Sequence, residues 1–200
     1  MKSHIPKILL YIRLVFALVI IGLSLRLLPN SKTIVLCLMY LGILSDVFDG
    51  ILARKFKVST DNLRVQDTAI DLMFYLAILY FLFLNETHVF QENKVLLFII
   101  LILECSMYGT SLIRFKKLPS PHAILSKFWG IYLVIEFTLI LLEVSGTHFT
   151  IALYIGLIAH IDRLLIYLIL KKWEHDIPSS YHAYLIRKGL KIKKNELFNG

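Results

Sequence analysis

The sequence predicts an all-α, polytopic membrane protein: a bundle of six transmembrane helices with both termini in the cytoplasm. Three observations carry that prediction. The 200 residues are 58% hydrophobic and only 18% charged, against about 25% charged in an ordinary soluble domain. Mean hydropathy is +0.72, more apolar surface than a water-soluble fold of this length can hide, and too much for disorder. The apolar residues fall in six continuous runs, and lysine and arginine alternate in density between the connections.

The runs lie near 8–28, 33–53, 67–84, 95–113, 124–144 and 149–170. Each is close to the ~20 residues a helix needs to cross a ~30 Å hydrocarbon core. They are continuous and do not alternate with period two, which selects helices over barrel strands. Short connections at 29–32 and 145–148 make the helices they join antiparallel. The N-terminus to Arg13, the 54–66 loop, the 114–127 segment and the tail after Leu170 hold 3, 4, 4 and 7 Lys and Arg, against three in the alternate connections. That asymmetry places the richer side in the cytoplasm, and an even number of spans agrees with it.

Lys2 and Lys7 precede the first apolar run, but no small-residue cleavage site follows, so the run reads as a retained helix and not a signal peptide. Residues 1–171 form the expected transmembrane domain. Residues 172–200 form a basic cytoplasmic tail, suited either to an anionic membrane surface or to solvent. Net charge is +8. It reads as loop charge that sets orientation, because no basic stripe is interleaved with stacking aromatics as nucleic-acid binding requires. Cys37 and Cys105 sit inside apolar runs and offer neither a disulfide framework nor metal spacing.

Chemistry concentrates at one place. Span 2 ends in SDVFDGILAR (45–54), and span 3 begins DTAID (67–71). Asp46 and Asp49 are three apart and Asp67 and Asp71 four apart, so each pair shares a helix face. Both pairs lie at the cytoplasmic ends of their spans, joined by the basic residues 55–66. Four carboxylates facing one another in a partly desolvated site cannot all stay ionised without cations. A lone charged Asp at a helix centre costs about 3 kcal/mol on insertion scales. Two hard divalent ions would remove that penalty. All-oxygen ligation suits Mg²⁺ or Mn²⁺, and Mg²⁺ typically shares its sphere with substrate phosphates. Gly50 and Ala53, on the face of Asp49, leave room for a nucleotide to approach the backbone, and Arg54 and Lys55 can neutralise phosphate. The competing view, helix-end carboxylates paired with loop cations, accounts for Asp67 at a helix N-terminus but not for Asp46 and Asp49 at a C-terminal end.

These residues resemble the CDP-alcohol phosphotransferase (CDP-alcohol phosphatidyltransferase) family, whose pattern reads D-x2-D-G-x2-A-R-x8-G-x3-D-x3-D. Asp46, Asp49, Gly50, Ala53, Arg54, Asp67 and Asp71 occupy matching positions. A chance match of seven is on the order of 1 in 10⁹ per starting position. The segment IPKILLYIR (5–13) is similar to the family's approach to its first helix. One position departs: the second glycine is Leu63, near where the family binds its nucleotide.

The resemblance implies that a CDP-linked lipid, usually CDP-diacylglycerol, is attacked by an alcohol with loss of CMP. It assigns Asp46, Asp49 and Asp67 as metal ligands and Asp71 as general base that also touches metal. Gly50, Ala53 and Arg54 line the CMP end. Relatives use glycerol 3-phosphate, inositol phosphate, inositol, serine or a second lipid as acceptor, and often pair as homodimers. The basic 114–127 segment favours a phosphorylated acceptor, with glycerol 3-phosphate first. Arg114 and Lys127 are its expected anchors, and loop charge is the plainer account of each. The expected location is a bacterial inner membrane with the site facing the cytoplasm. Two other classes compete. A cation transporter needs polar residues through the outer helix halves, which here are mainly apolar. A non-catalytic relative is favoured only by Leu63. Inside the spans, Glu104, Glu136, Asp162 and Arg163 are expected to face inward, with Arg163 pairing to an acid.

Overall fold

The computed structural model describes residues 5–26, 28–56, 58, 60–121, 123–144, 148–190 and 192; the side chains of Arg54 and Asp61 also lie outside the description. Among the described residues there are seven helices and no strand: α1 (Ile5–Leu25), α2 (Ser31–Lys55), α3 (Asp61–Asn85), α4 (Thr87–Phe115), α5 (Ile124–Leu141), α6 (Phe149–Ile169) and the short α7 (Ser180–Arg187). The first six are long and apolar enough to span a bilayer. The chain is therefore a polytopic helical membrane protein. Large apolar side chains such as Leu18, Val95, Ile113 and Phe128 stand more than 60% exposed, as expected where the surrounding solvent is hydrocarbon.

Several helix ends lie a few residues from the hydropathy reading, and three of the differences have a local cause. α3 begins at Asp61, with the Thr60 hydroxyl accepting the Leu63 N–H at 3.2 Å as an N-cap. Asp67 thus lies inside the helix rather than at its first turn, where a helix dipole would have explained it. α4 begins at Thr87, leaving only Glu86 between it and α3. The polar residues at 91–94 look like a loop in sequence, yet Val89, Phe90 and Asn93 are buried at helical spacing. α5 stops at Leu141, where Glu143 takes φ 57° and Val144 N–H bonds to Leu139 O. This is a Schellman closure on a residue other than glycine.

The fold divides into two compact units. One holds residues 1–90 with 138–145; the other holds 91–137 with 146–200. In the first, α1 packs against α2 and α3. Pro6, Leu10, Arg13, Ala17, Ile20, Leu23 and Ser24 form its buried stripe, the i, i+3, i+4 spacing of one helix face. At the N-terminal end of α2, Lys32 bridges Glu86 at 2.5 Å and Glu143 at 2.6 Å.

In the second unit Arg163 makes a bidentate pair with Glu104 at 2.9 and 3.1 Å, so the intramembrane arginine has the acidic partner its burial requires. Asp162 accepts the backbone N–H of Ser180 at 2.9 Å. The residues after α6 pack against this unit. Ile177 and Ala183 are buried with Met107, Ala123, Ile166, Tyr167 and Leu170. Backbone bonds from Asp176 to Ser120, Ile177 to Pro121 and Ile124 to Pro178 tie the 119–123 and 176–178 segments together. Residues 191 and 193–200 of the expected tail lie outside the described residues.

Candidate metal centre and donor cleft

The first unit assembles the four aspartates. α2 buries Ser31, Val35, Met39, Gly42, Ser45, Asp49 and Ala53, a continuous stripe at helical spacing that carries Asp49 inward as its last polar member. On α3, Leu63, Asp67, Asp71, Phe74 and Ile78 recur at three and four residues, so one face bears both acids and the apolar anchors beyond them. Ser45 Oγ donates to Leu9 O at 2.9 Å and fixes α2 against α1 immediately before Asp46.

Gly42 sets the approach of α2 and α3. A Cβ there would collide with the Phe74 ring, so the missing side chain lets that ring lie on the helix backbone. Gly42 stands one turn before Asp46, and Phe74 three residues after Asp71. Gly42→Val is accordingly expected to destabilise the fold by about 1–3 kcal/mol through overpacking. It should also weaken divalent-metal binding by spreading the two aspartate pairs. Thermal unfolding in detergent, with and without Mn²⁺, measures both; an unchanged midpoint and unchanged Mn²⁺ affinity would contradict the packing role.

Ligand oxygens of Asp46, Asp49 and Asp67 all lie within 4.8 Å of one another. At that spacing two carboxylates repel by about 3–4 kcal/mol at an effective dielectric of 20. The arrangement therefore demands positive charge. Hard oxygen donors from two helices, one buried and two half-exposed, suit a small divalent cation that keeps positions open for water or phosphate. Asp71, one turn beyond Asp67, extends the same face.

Sequence pattern alone does not reveal Arg13, which counts there among the orientation-setting charges. Arg13 is 1% exposed, and its guanidinium meets all four carboxylates. Nη1 pairs with Asp46 at 3.0 Å and with Asp71; Nη2 pairs with Asp49 and lies 3.4 Å from Asp67. A signal does exist in the sequence: an arginine inside an apolar span is costly unless anions face it, and the four aspartates are anions in need of a cation.

A small, open cleft adjoins the cluster. It is lined by Pro6 and Leu10 of α1, Asp49, Gly50 and Ala53 of α2, and Leu63, Arg64 and Asp67 of α3. Gly50 and Ala53 thus border open space beside two of the carboxylates, and Leu63 projects to the same wall. The expected role of Arg54 rests on a side chain outside the described residues.

Arg114 and Lys127 belong to the second unit. Arg114 donates to the carbonyls of Tyr167, Leu168 and Leu170 at 2.5, 2.6 and 2.9 Å, capping the end of α6, whose last carbonyls have no intrahelical donors. Lys127 lies half-buried in the first turn of α5.

Neither the curated proteins nor the solved structures compared with the chain include a match. The family profile for CDP-alcohol phosphatidyltransferase matches residues 3–170. That span contains all six membrane helices, the four converging aspartates and the cleft beside them, and on this ground the chain belongs to the CDP-alcohol phosphatidyltransferase family, transferases of substituted phosphate groups acting on CDP-alcohols.

Proposed function

We propose that the protein transfers a phosphatidyl group from a CDP-linked lipid, CDP-diacylglycerol, to a small alcohol, releasing CMP at the cytoplasmic face of the membrane. The observation that carries this reading is the convergence of Asp46, Asp49, Asp67 and Asp71 beside a cleft bounded by Gly50 and Ala53. Asp46, Asp49 and Asp67, with Asp71 alongside, would hold two Mg²⁺ or Mn²⁺ ions. Bound there, such ions neutralise a diphosphate and stabilise the charge that develops as its bond breaks. The chain's own residues do the rest. Gly50 and Ala53 admit the nucleotide close to the backbone, and Arg54 is assigned to its phosphates. Asp71 takes the proton from the acceptor hydroxyl as that oxygen attacks the phosphorus bearing the lipid. The apolar faces of the spanning helices keep the lipid tails in the bilayer while the diphosphate sits at its edge.

The acceptor is read as phosphorylated, glycerol 3-phosphate first. Arg114 donates to three α6 carbonyls; Lys127 is the second basic residue proposed for the acceptor phosphate. Lys127→Ala should raise KM for glycerol 3-phosphate about tenfold or more, the worth of one charge-assisted hydrogen bond, and leave KM for the donor unchanged. The test is CMP release with a panel of glycerol 3-phosphate, inositol phosphate, inositol and serine. Stimulation by glycerol 3-phosphate, with the Lys127→Ala shift, is the expected result. Stimulation by serine or inositol alone would overturn the acceptor assignment and leave the transfer reaction standing.

A further inference from the structure

We infer that Arg13 is a built-in placeholder cation, which holds the four aspartates together before metal binds and leaves them as the ions bind. The inference rests on the reading of those aspartates as metal ligands. It goes beyond that reading in giving the metal-free protein a defined state.

Three observations carry it. First, the guanidinium contacts the same carboxylate groups a metal would use: Asp46 Oδ1, Asp49 Oδ2 and Asp67 Oδ1, together with Asp71. Second, the site is built around the arginine and not the reverse. Arg13 is 1% exposed, and Leu10 and Ala17 on the same stripe of α1 are equally enclosed, so the charge is carried into the apolar helix packing to face these anions. Third, its hydrogen bonding is incomplete. Among the described residues Nε is buried without a hydrogen-bond partner. A guanidinium placed for permanent structural work normally satisfies its forked donors. Arg163, bidentate on Glu104, shows that this chain can do so elsewhere.

Chemistry then sets the order of events. Four ionised carboxylates on two apposed helices cannot assemble in a bilayer unaided, and a chain must insert and fold whether or not metal is at hand. One forked monocation on α1 lets α1, α2 and α3 come together. A guanidinium and a dication at contact distance repel, so the two compete for the same lone pairs. Arg13 is therefore a positioning residue in the metal-free state and a competitor of metal binding.

The test uses the full chain, purified in detergent and stripped with chelator, with R13Q compared against wild type. Two readouts are independent of turnover: the thermal unfolding midpoint without metal, and Mn²⁺ affinity by titration calorimetry. R13Q should unfold several degrees lower than wild type without metal and bind Mn²⁺ at least tenfold more tightly. Its midpoint should rise more than wild type's when Mn²⁺ is added. Equal or weaker Mn²⁺ binding by folded R13Q, with wild type binding normally, overturns the placeholder role and leaves the metal reading intact. Absence of Mn²⁺ binding in both proteins overturns the metal reading itself and this inference with it. If R13Q does not fold, R13K decides. Its single ammonium cannot fork across four carboxylates, and an Mn²⁺ affinity raised at least threefold supports the role where an unchanged one sinks it.

Discussion

Replacing Asp71 by Asn should lower kcat by about 10²–10⁴-fold, the range lost with a positioned general base, while the protein still binds a CDP-lipid. The substitution keeps the shape of the side chain and removes its ability to accept the hydroxyl proton. Asp71 is suited to this separation of roles. It lies one turn beyond Asp67 on the same face of α3 and reaches the Arg13 guanidinium, yet it is not among the residues lining the cleft. In the proposed function the donor is held by the cleft and by the three aspartates whose oxygens cluster within 4.8 Å, so its binding should survive. Steady-state kinetics paired with equilibrium binding of a CDP-lipid distinguish the outcomes. Undiminished kcat would remove Asp71 from the chemistry; lost binding together with lost turnover would make it a ligand first and a base second.

The second large effect is expected at Asp49. It is 5% exposed, and on α2 it both pairs with Arg13 and borders the cleft. Asp49→Asn removes one carboxylate charge, a proposed metal ligand, from the centre of the cluster. Mn²⁺ binding should weaken at least a hundredfold. CMP release should fall by about 10³-fold or more, because stabilising the charge that develops in the transition state commonly supplies most of the acceleration in such reactions. Stability should move the other way. With one fewer negative charge facing its neighbours, the metal-free fold loses repulsion and keeps three partners for Arg13, so its unfolding midpoint should stay level or rise. A midpoint that falls steeply would mean that Asp49 is a structural partner of Arg13 before it is a ligand.

Hydropathy makes most of the architecture legible because a membrane helix must satisfy its backbone internally and therefore announces itself as a long apolar run. It fails where helices extend past the hydrocarbon. Residues 61–66 and 87–94 are largely polar and look like loops, yet the cap at Thr60 and the buried Val89, Phe90 and Asn93 continue the helical pattern. The four aspartates are legible because their spacings of three and four leave few geometric choices. Arg13 is not, since a lone basic residue near the end of a span has an ordinary explanation in topology, and only the packing of α1 against α2 and α3 shows which anions it faces. Setting it aside leaves the direction of the charge asymmetry unchanged. Arg114 shows the opposite limit. Its charge suggests a phosphate, whereas the structure gives it three helix-end carbonyls, a role that no one-dimensional pattern displays.

Leu63 is where this chain departs from its family's pattern. The side chain is 8% exposed and stands in the cleft wall with Gly50 and Ala53, so it narrows the space a glycine would leave open. It does not touch the charge balance of the aspartates.

The most direct measurement is CMP release from CDP-diacylglycerol by the purified protein in detergent, with glycerol 3-phosphate as acceptor, before and after chelation and again on adding back Mg²⁺ or Mn²⁺. Release should stop on chelation, return with either ion, and be absent from Asp49→Asn under every condition. Release that persists through chelation, or that survives in Asp49→Asn, would contradict the assignment of the four aspartates as a metal centre for phosphatidyl transfer.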